Sequence, residues 1–307
     1  MNNWLFLRGE LDKRTQKSID DNDDMWAQLF AELHGDEYGY IYYHRGLNVL
    51  FDHCPDIIFS RGGFGWQADI CKREKTAFKI RYGAGRRYMP EKDIKYDLIL
   101  VDTEKQKQDV LSVFPHENVH LWIKPAAKHF KYMPEVEKEY DVCYIANGQQ
   151  AHFKGVEWVY DTVPKDLRVL HLGYPTEFRV PENVTQVRVD RIDMPKWINK
   201  CKVGIVPYWN DIDSCPRVIP EMLACGLSLS IANQLAFWNE KYIENNITFT
   251  KEFFWDHVKS GCDKEKSNIE WHLPRLTKNI SNYYQNNLSL QVSANHIKGL
   301  IEDARRV

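Results

Sequence analysis

Several protein classes are excluded by what this 307-residue sequence lacks. It has no run of the roughly 18 apolar residues that a membrane span requires. Its opening stretch, MNNWLFLRGELDKR, has neither a basic n-region nor a small-residue cleavage site. It is therefore expected to be a first strand and not a signal peptide. No C-x-x-C pair occurs among the seven cysteines at positions 54, 71, 143, 201, 215, 225 and 262. Their odd number and apolar surroundings imply reduced, buried thiols in a cytoplasmic protein and argue against structural zinc. There is no G-x-S-x-G elbow and no GKS/T phosphate loop. Fixed-period repeats and low-complexity tracts are also missing. His44, His53, His152 and His171 are scattered and read as structural or surface groups. Trp197, Trp209, Trp238 and Trp255 read as core.

What is present describes a globular chain, 43% hydrophobic and 13% aromatic, long enough for one large or two ordinary domains. The net charge of −2 hides an uneven distribution. Residues 18–37 hold seven acids and no Lys or Arg, whereas residues 71–96 hold nine bases against three acids. The basic stretch, interleaved with Phe78, Tyr82 and Tyr88, suits an anionic partner.

Along the chain, NWLFL, PDIIFS, AFKIRY, YDLILV and NVHLWI read as strands. Helices are expected at Met25–Leu33, after the acidic run Asp20–Asp24, and at Glu104–Phe114. Strands alternating with helices across short glycine loops predict a doubly wound α/β domain over residues 1–130. The polar segment KHFKYMPEVEKEY is the expected linker. The rhythm then restarts with the strands YDVCYI, LRVLHL, KVGIVP and LSLSIA, the helix PEMLACG and a possible edge strand NITFT, which predicts a second α/β domain over 138–285. Residues 286–307 are expected to form a C-terminal helix, and Pro274 to interrupt the helical tail. Two such halves would leave a cleft between them, where sites are commonly built.

Two motifs carry chemistry. Gly148–Gly155, GQQAHFKG, follows a strand and precedes a helix. It reads either as an ordinary turn or as an anion site, with backbone N–H groups facing a phosphate and Lys154 adding a full charge. Asp213 and Glu221 stand eight positions apart between the strand KVGIVPY and a Cys225-Gly226 turn. They read either as a solvated acid and a helix-start acid, or as acceptors for sugar and ribose hydroxyls.

Residues 140–243 resemble the donor domain of GT-B fold glycosyltransferases, in particular the retaining, family-4-like group. That pattern is a G-R-x4-K-G loop followed by acid-x7-Glu and an A-C-G-x-P turn. Gly148 and Lys154-Gly155 match the first, and Asp213, Glu221 and Ala224-Cys225-Gly226 match the rest. Gln149 stands in place of the arginine, Asp213 in place of the commoner Glu, and Ser228 in place of the proline. Arg217, Arg8 or an arginine of the first domain would then supply the missing cation.

The resemblance implies a GT-B fold, two Rossmann-like domains facing a central cleft, and a UDP-linked nucleotide-sugar donor with no obligate metal. The sequence has no D-x-D in the place where a metal-dependent transferase would carry one. By resemblance, Glu221 holds the ribose, Lys154 the diphosphate, and Asp213 with Ser214, Cys215, Pro216 and Arg217 the donor sugar. Gly173, Tyr174 and Pro207 would line the nucleotide pocket, joined by Gly148, Gln149, Arg8 and Gly9. Arg81, Tyr82, Arg86 and Arg87 are the expected acceptor-side residues, read alternatively as turns with solvated bases. Acceptors of suitable charge are a phosphorylated glycan or lipid, or a hydroxymethylated base in DNA. A non-catalytic nucleotide-sugar binder and an epimerase on the same fold stay open at this level.

Overall fold

A computed structural model of the chain describes residues 4–7, 24–34, 41–42, 55–61, 65–83, 88–146, 151–208, 216–232, 248–249, 251–266 and 269–306. The chain divides into two compact units, Met1–Ala127 with Leu290–Val307, and Lys128–Ser289.

The first unit is built on the strands β1 (Trp4–Leu7), β2 (Ile41–Tyr42), β3 (Ile57–Ser60), β4 (Phe78–Gly83), β5 (Leu98–Val101) and β6 (Val119–Leu121). They form one parallel sheet in the order β2-β1-β3-β4-β5-β6. The helices are α1 (Met25–His34), α2 (Gly65–Arg73) and α3 (Glu104–Val113). β1, β3 and β5 are buried at every position, as a parallel sheet covered on both faces requires. On one face, Leu5, Leu7, Ile58, Ile99 and Val101 pack with Ala68, Ile70 and Cys71 of α2 and Val110 of α3. On the other, Phe6, Phe59 and Tyr82 meet Trp26 and Phe30 of α1, with Trp122 edge-on to Tyr82 at 5.0 Å. Asp24 starts α1 by accepting the Ala27 amide at 2.9 Å, and Thr103 starts α3 by accepting the Gln106 amide at 3.0 Å.

The second unit begins with β7 (Tyr140–Ile145), followed by the short helix α4 (Ala151–Lys154) and by α5 (Val156–Thr162). β8 (Val169–Leu172) and β9 (Val184–Val187) lead through a 3-10 turn at Arg191–Asp193 into α6 (Met194–Asn199). β10 (Cys201–Val206), α7 (Val218–Ala224), β11 (Ser228–Ala232) and β12 (Thr248–Phe249) follow, then α8 (Phe254–Lys266) and α9 (Ile269–Asn287). All its strand pairs are parallel, in the order β12-β11-β10-β7-β8-β9. Counted from β7, this is the dinucleotide-fold order 3-2-1-4-5-6, whose direction reverses between β7 and β10.

Some local expectations change. Pro274 does not interrupt the tail but lies sixth in α9. That close to the amino end it removes one ladder donor and the helix continues. α10 (Leu290–Arg306) belongs to the first unit: Lys298 Nζ donates to Glu32 O at 2.8 Å, and Ser293 Oγ to Ile123 O at 3.3 Å. The Ala224-Cys225-Gly226 turn has a structural explanation. Gly226 N donates to Leu223 O and Leu227 N to Met222 O, the paired bonds of a Schellman end, with Gly226 at φ 84° where a side chain would be strained. Cys71, Cys143, Cys201, Cys225 and Cys262 are buried thiols, and burial raises Cys71 to about 12. Among the described residues no helix is long and apolar enough to cross a membrane.

Candidate functional site

In an open parallel sheet the strand order creates a crevice where it reverses, at the carboxyl ends of the strands. In the second unit that place lies between Ile145-Ala146, leaving β7, and Pro207-Tyr208, leaving β10. Tyr208 spans it, its buried hydroxyl donating to Ile145 O at 2.8 Å. Lys154 comes to the same point. Its carbonyl accepts the Tyr144 hydroxyl at 2.7 Å, and its ammonium lies 5.0 Å from the centre of the Tyr208 ring. The lysine of the GQQAHFKG motif therefore sits at the switch point of the sheet, with Gly155 (φ 74°) separating α4 from α5.

Glu221 stands in the first turn of α7, the helix that follows the carboxyl end of β10. It is 2% exposed. Its Oε1 accepts from Arg191 at 2.5 Å, while Oε2 accepts nothing among the described residues. Arg191 enters from the 3-10 turn after β9 and also lies 5.1 Å over the Phe130 ring. His129 is beside the pair; burial, and after it the Arg191 charge, push its imidazole below the usual range. It is thus neutral at neutral pH and leaves Arg191 as the counter-charge of Glu221. Arg191 is a member of this candidate site that the sequence reading missed. Its one signal was position, an arginine just past a strand end on the carboxyl edge.

Gly173 directly follows β8 beside the same crevice. Its amide donates to Val187 O at 3.0 Å, and a Cβ built on it would lie 1.7 Å from Ala146 O. That is far inside any permitted contact, so the end of β8 or of β7 would have to move. Gly173→Ala is expected to destabilise the second unit by about 1–3 kcal/mol, measurable by denaturant unfolding. Tyr174 follows with its ring 4.3 Å beneath the Arg188 guanidinium. Pro216 is buried and Arg217 exposed at the start of α7.

Behind the crevice lies His171, read from the sequence as a structural or surface group and found fully buried. Its Nδ1 is 2.6 Å from the Tyr160 hydroxyl and its Nε2 3.0 Å from Ala146 O. Burial lowers it from 6.5 to about 4. Between those values the unfolded chain takes up a proton that the folded protein refuses. The stabilisation is complete above pH 6.5 and is lost as pH falls toward 4. The expected slope is roughly 1.4 kcal/mol per pH unit within that window. His120, His129 and His296 are lowered as well, so the check is the difference in acid-limb slope between wild type and His171→Phe.

The acceptor-side expectations change in the first unit. Arg81 is 1% exposed and cross-links its surroundings, donating to Glu91 Oε2 at 3.0 Å, Tyr88 O at 2.8 Å and Met89 O at 2.6 Å. Tyr82 is fully buried, and its hydroxyl donates to Asp102 Oδ1 at 2.5 Å. Both belong to a central strand covered on both faces, which turns alternate residues inward whatever their chemistry. Among the described residues, Arg61, Asp102 and Lys124 follow the carboxyl ends of β3, β5 and β6, and Asp102 and Lys124 are buried there. Arg61 lies 5.0 Å over Trp26 and donates its amide to Leu7 O at the β1–β3 switch point. Arg8, Gly9, Arg86, Arg87, Gly148, Gln149, Asp213, Ser214 and Cys215 lie outside the described residues.

No protein-family model and no curated protein sequence matches the chain. Solved structures do. A glycosyltransferase from Rickettsia africae ESF-5 superposes with a TM-score of 0.67 at 11% identity, covering 99% of this chain and 98% of its own. Sucrose-phosphate synthase from Thermosynechococcus elongatus gives 0.67 at 10% identity, covering 99% of each. A DNA-modifying β-glucosyltransferase, solved with and without its substrate uridine diphosphoglucose, gives 0.62 at 12%, covering 97% of this chain and 99% of that one. At such identities the likeness establishes the fold, and the fold is GT-B, with two Rossmann-like parallel-sheet domains.

Proposed function

We propose that the protein is a glycosyltransferase that moves a sugar from a nucleotide-diphosphate sugar, UDP-linked, to an acceptor with retention of configuration. The observation that carries this reading is the placement of Lys154 over Tyr208 at the switch point, with buried Glu221 in the first turn of the helix leaving the neighbouring strand. A diphosphate at that point would have a full cation beside its leaving oxygen. A ribose would offer two hydroxyls to a carboxylate whose Oε1 is already fixed by Arg191. Such chemistry is mainly positioning and stabilisation of the leaving group's charge. Asp213, with Ser214, Cys215, Pro216 and Arg217, takes the donor sugar in this reading. Gly173, Tyr174 and Pro207 bound the nucleotide in this reading, and Gly148, Gln149, Arg8 and Gly9 are proposed as donor-binding residues. Arg61, at the carboxyl edge of the first sheet, joins Arg86 and Arg87 as a proposed acceptor-side group, while Arg81 and Tyr82 are turned inward.

The test is donor consumption. Purified protein is incubated with a panel of nucleotide sugars, with and without EDTA, and release of nucleoside diphosphate is followed. Slow hydrolysis of one donor, lost in Lys154→Ala, supports the enzyme; binding without consumption of any donor would make it a sugar-nucleotide binder. The acceptor is tested separately. A mass increase on duplex DNA carrying hydroxymethylated bases would place it with the DNA-modifying enzymes, and transfer to a phosphorylated glycan or lipid with the surface-glycan enzymes.

A further inference from the structure

The described bases of residues 71–96 do not gather on one side of the first unit. Lys72 is paired with Asp93 at 2.5 Å, Arg73 with Glu74 at 3.0 Å and Arg81 with Glu91 at 3.0 Å. Lys75, Lys79 and Lys95 are different. Together with Arg305 of α10 they line a cavity of about 540 Å³ that also takes in Asp56 and Asp97. Asp56 and Asp97 immediately precede β3 and β5, so the cavity lies at the amino edge of the sheet. That is the end opposite the β1–β3 switch point, and among the described residues none of the donor or acceptor reading belongs to it.

We propose that this cavity is a binding site for a phosphate ester of a small hydroxylated molecule. Among the described residues four cations and two carboxylates line the cavity, and Asp97 already accepts the Lys79 amide at 2.7 Å. Lys79 is 8% exposed, yet its ammonium reaches only the carbonyls of Lys75 and Ala77, both at 3.4 Å. An ammonium has three donors and is costly to bury without a counter-charge. Lys75 and Lys95 make no ion pair among the described residues. Glu117 is within electrostatic reach of Lys95 but lies outside the lining. An oxyanion supplies what the lining lacks, through charge-assisted bonds to several ammonium groups at once. The volume exceeds a bare phosphate and is that of a small-molecule pocket. The Phe78 ring, beneath Arg305 at 5.4 Å, gives the carbon skeleton a wall, and Asp56 gives a hydroxyl an acceptor.

The phosphate could be carried by a soluble ester or a lipid headgroup, and the experiment separates the two. Because the second unit's diphosphate site would also take phosphate, binding is measured in the Lys154→Ala background. Inorganic phosphate is titrated at constant ionic strength while the melting temperature is followed. Lys95 and Arg305 are both exposed, so Lys95→Ala/Arg305→Ala leaves the fold intact. The expected result is a phosphate-dependent rise in Lys154→Ala, with apparent affinity about tenfold or more weaker once the two further substitutions are added. No rise in Lys154→Ala, or an unchanged rise in the triple variant, overturns the proposal whatever the outcome of the donor assays. Co-sedimentation with vesicles containing phosphatidic acid, absent with phosphatidylcholine alone and dependent on Lys95 and Arg305, supports the site with a lipid as its source. Failure to sediment, beside a positive titration, supports it with a soluble ester.

Discussion

Lys154→Ala is expected to lower donor turnover by about 10²–10³-fold, the usual effect of removing one donor aimed at charge that develops in a transition state. The side chain is only partly buried and lies over the Tyr208 ring, a contact of modest worth, so only a modest loss of folding stability is expected. The melting temperature should therefore stay within a few degrees of wild type. Lys154→Arg should recover part of the rate, because it restores the charge without the same reach. Lys165→Ala, at an exposed position beyond α5, serves as the control and should change nothing. The measurement is release of nucleoside diphosphate at saturating donor, with the affinity for free nucleoside diphosphate determined alongside. A turnover in Lys154→Ala within threefold of wild type would remove the lysine from the chemistry and make the motif a plain strand–helix turn.

How much of this was legible beforehand depends on the kind of residue. The strands of both sheets were visible because a parallel sheet buried on both faces leaves continuous apolar runs, as at Leu98–Val101 and Cys201–Val206. Strand order was not, since NWLFL carries no mark that β1 lies between β2 and β3. Lys154 could be read because a glycine loop and a lysine adjoin in sequence. Arg191 could not, because it meets Glu221 across 30 positions and the pairing exists only once β9 and β10 are in one sheet. Arg81 and Tyr82 show the converse: their burial was not legible. A charge and a phenol in a run with bases look exposed, but their strand is central and each found its partner inside, Glu91 and Asp102. The division of the basic stretch into paired residues and cavity-lining residues is likewise a matter of which sheet edge each reaches.

The pair Arg191–Glu221 admits two explanations, and they predict different outcomes from the same variants. As a plain buried ion pair it would be dispensable when both partners are replaced, since a buried pair and its well-packed apolar replacement are often of equal stability. Removing one partner alone would still be harmful. Arg191→Met should destabilise the protein by about 3–5 kcal/mol, because Glu221, 2% exposed, would be left without its counter-charge. Glu221→Gln/Arg191→Met should regain most of that loss. Nucleotide binding separates the two explanations. If Glu221 Oε2 is the acceptor for ribose, Glu221→Gln should weaken nucleoside diphosphate binding by about 10- to 100-fold, the worth of a hydrogen bond to a charged group. The double variant should be stable and still bind weakly. A 2′,3′-dideoxy nucleotide should bind wild type and Glu221→Gln alike, because the hydroxyls that the carboxylate would recognise are gone. Calorimetric titration of both nucleotides against the three variants decides it. Equal discrimination between ribose and dideoxyribose in wild type and Glu221→Gln would make Glu221 a helix-start acid tied to Arg191 and nothing more.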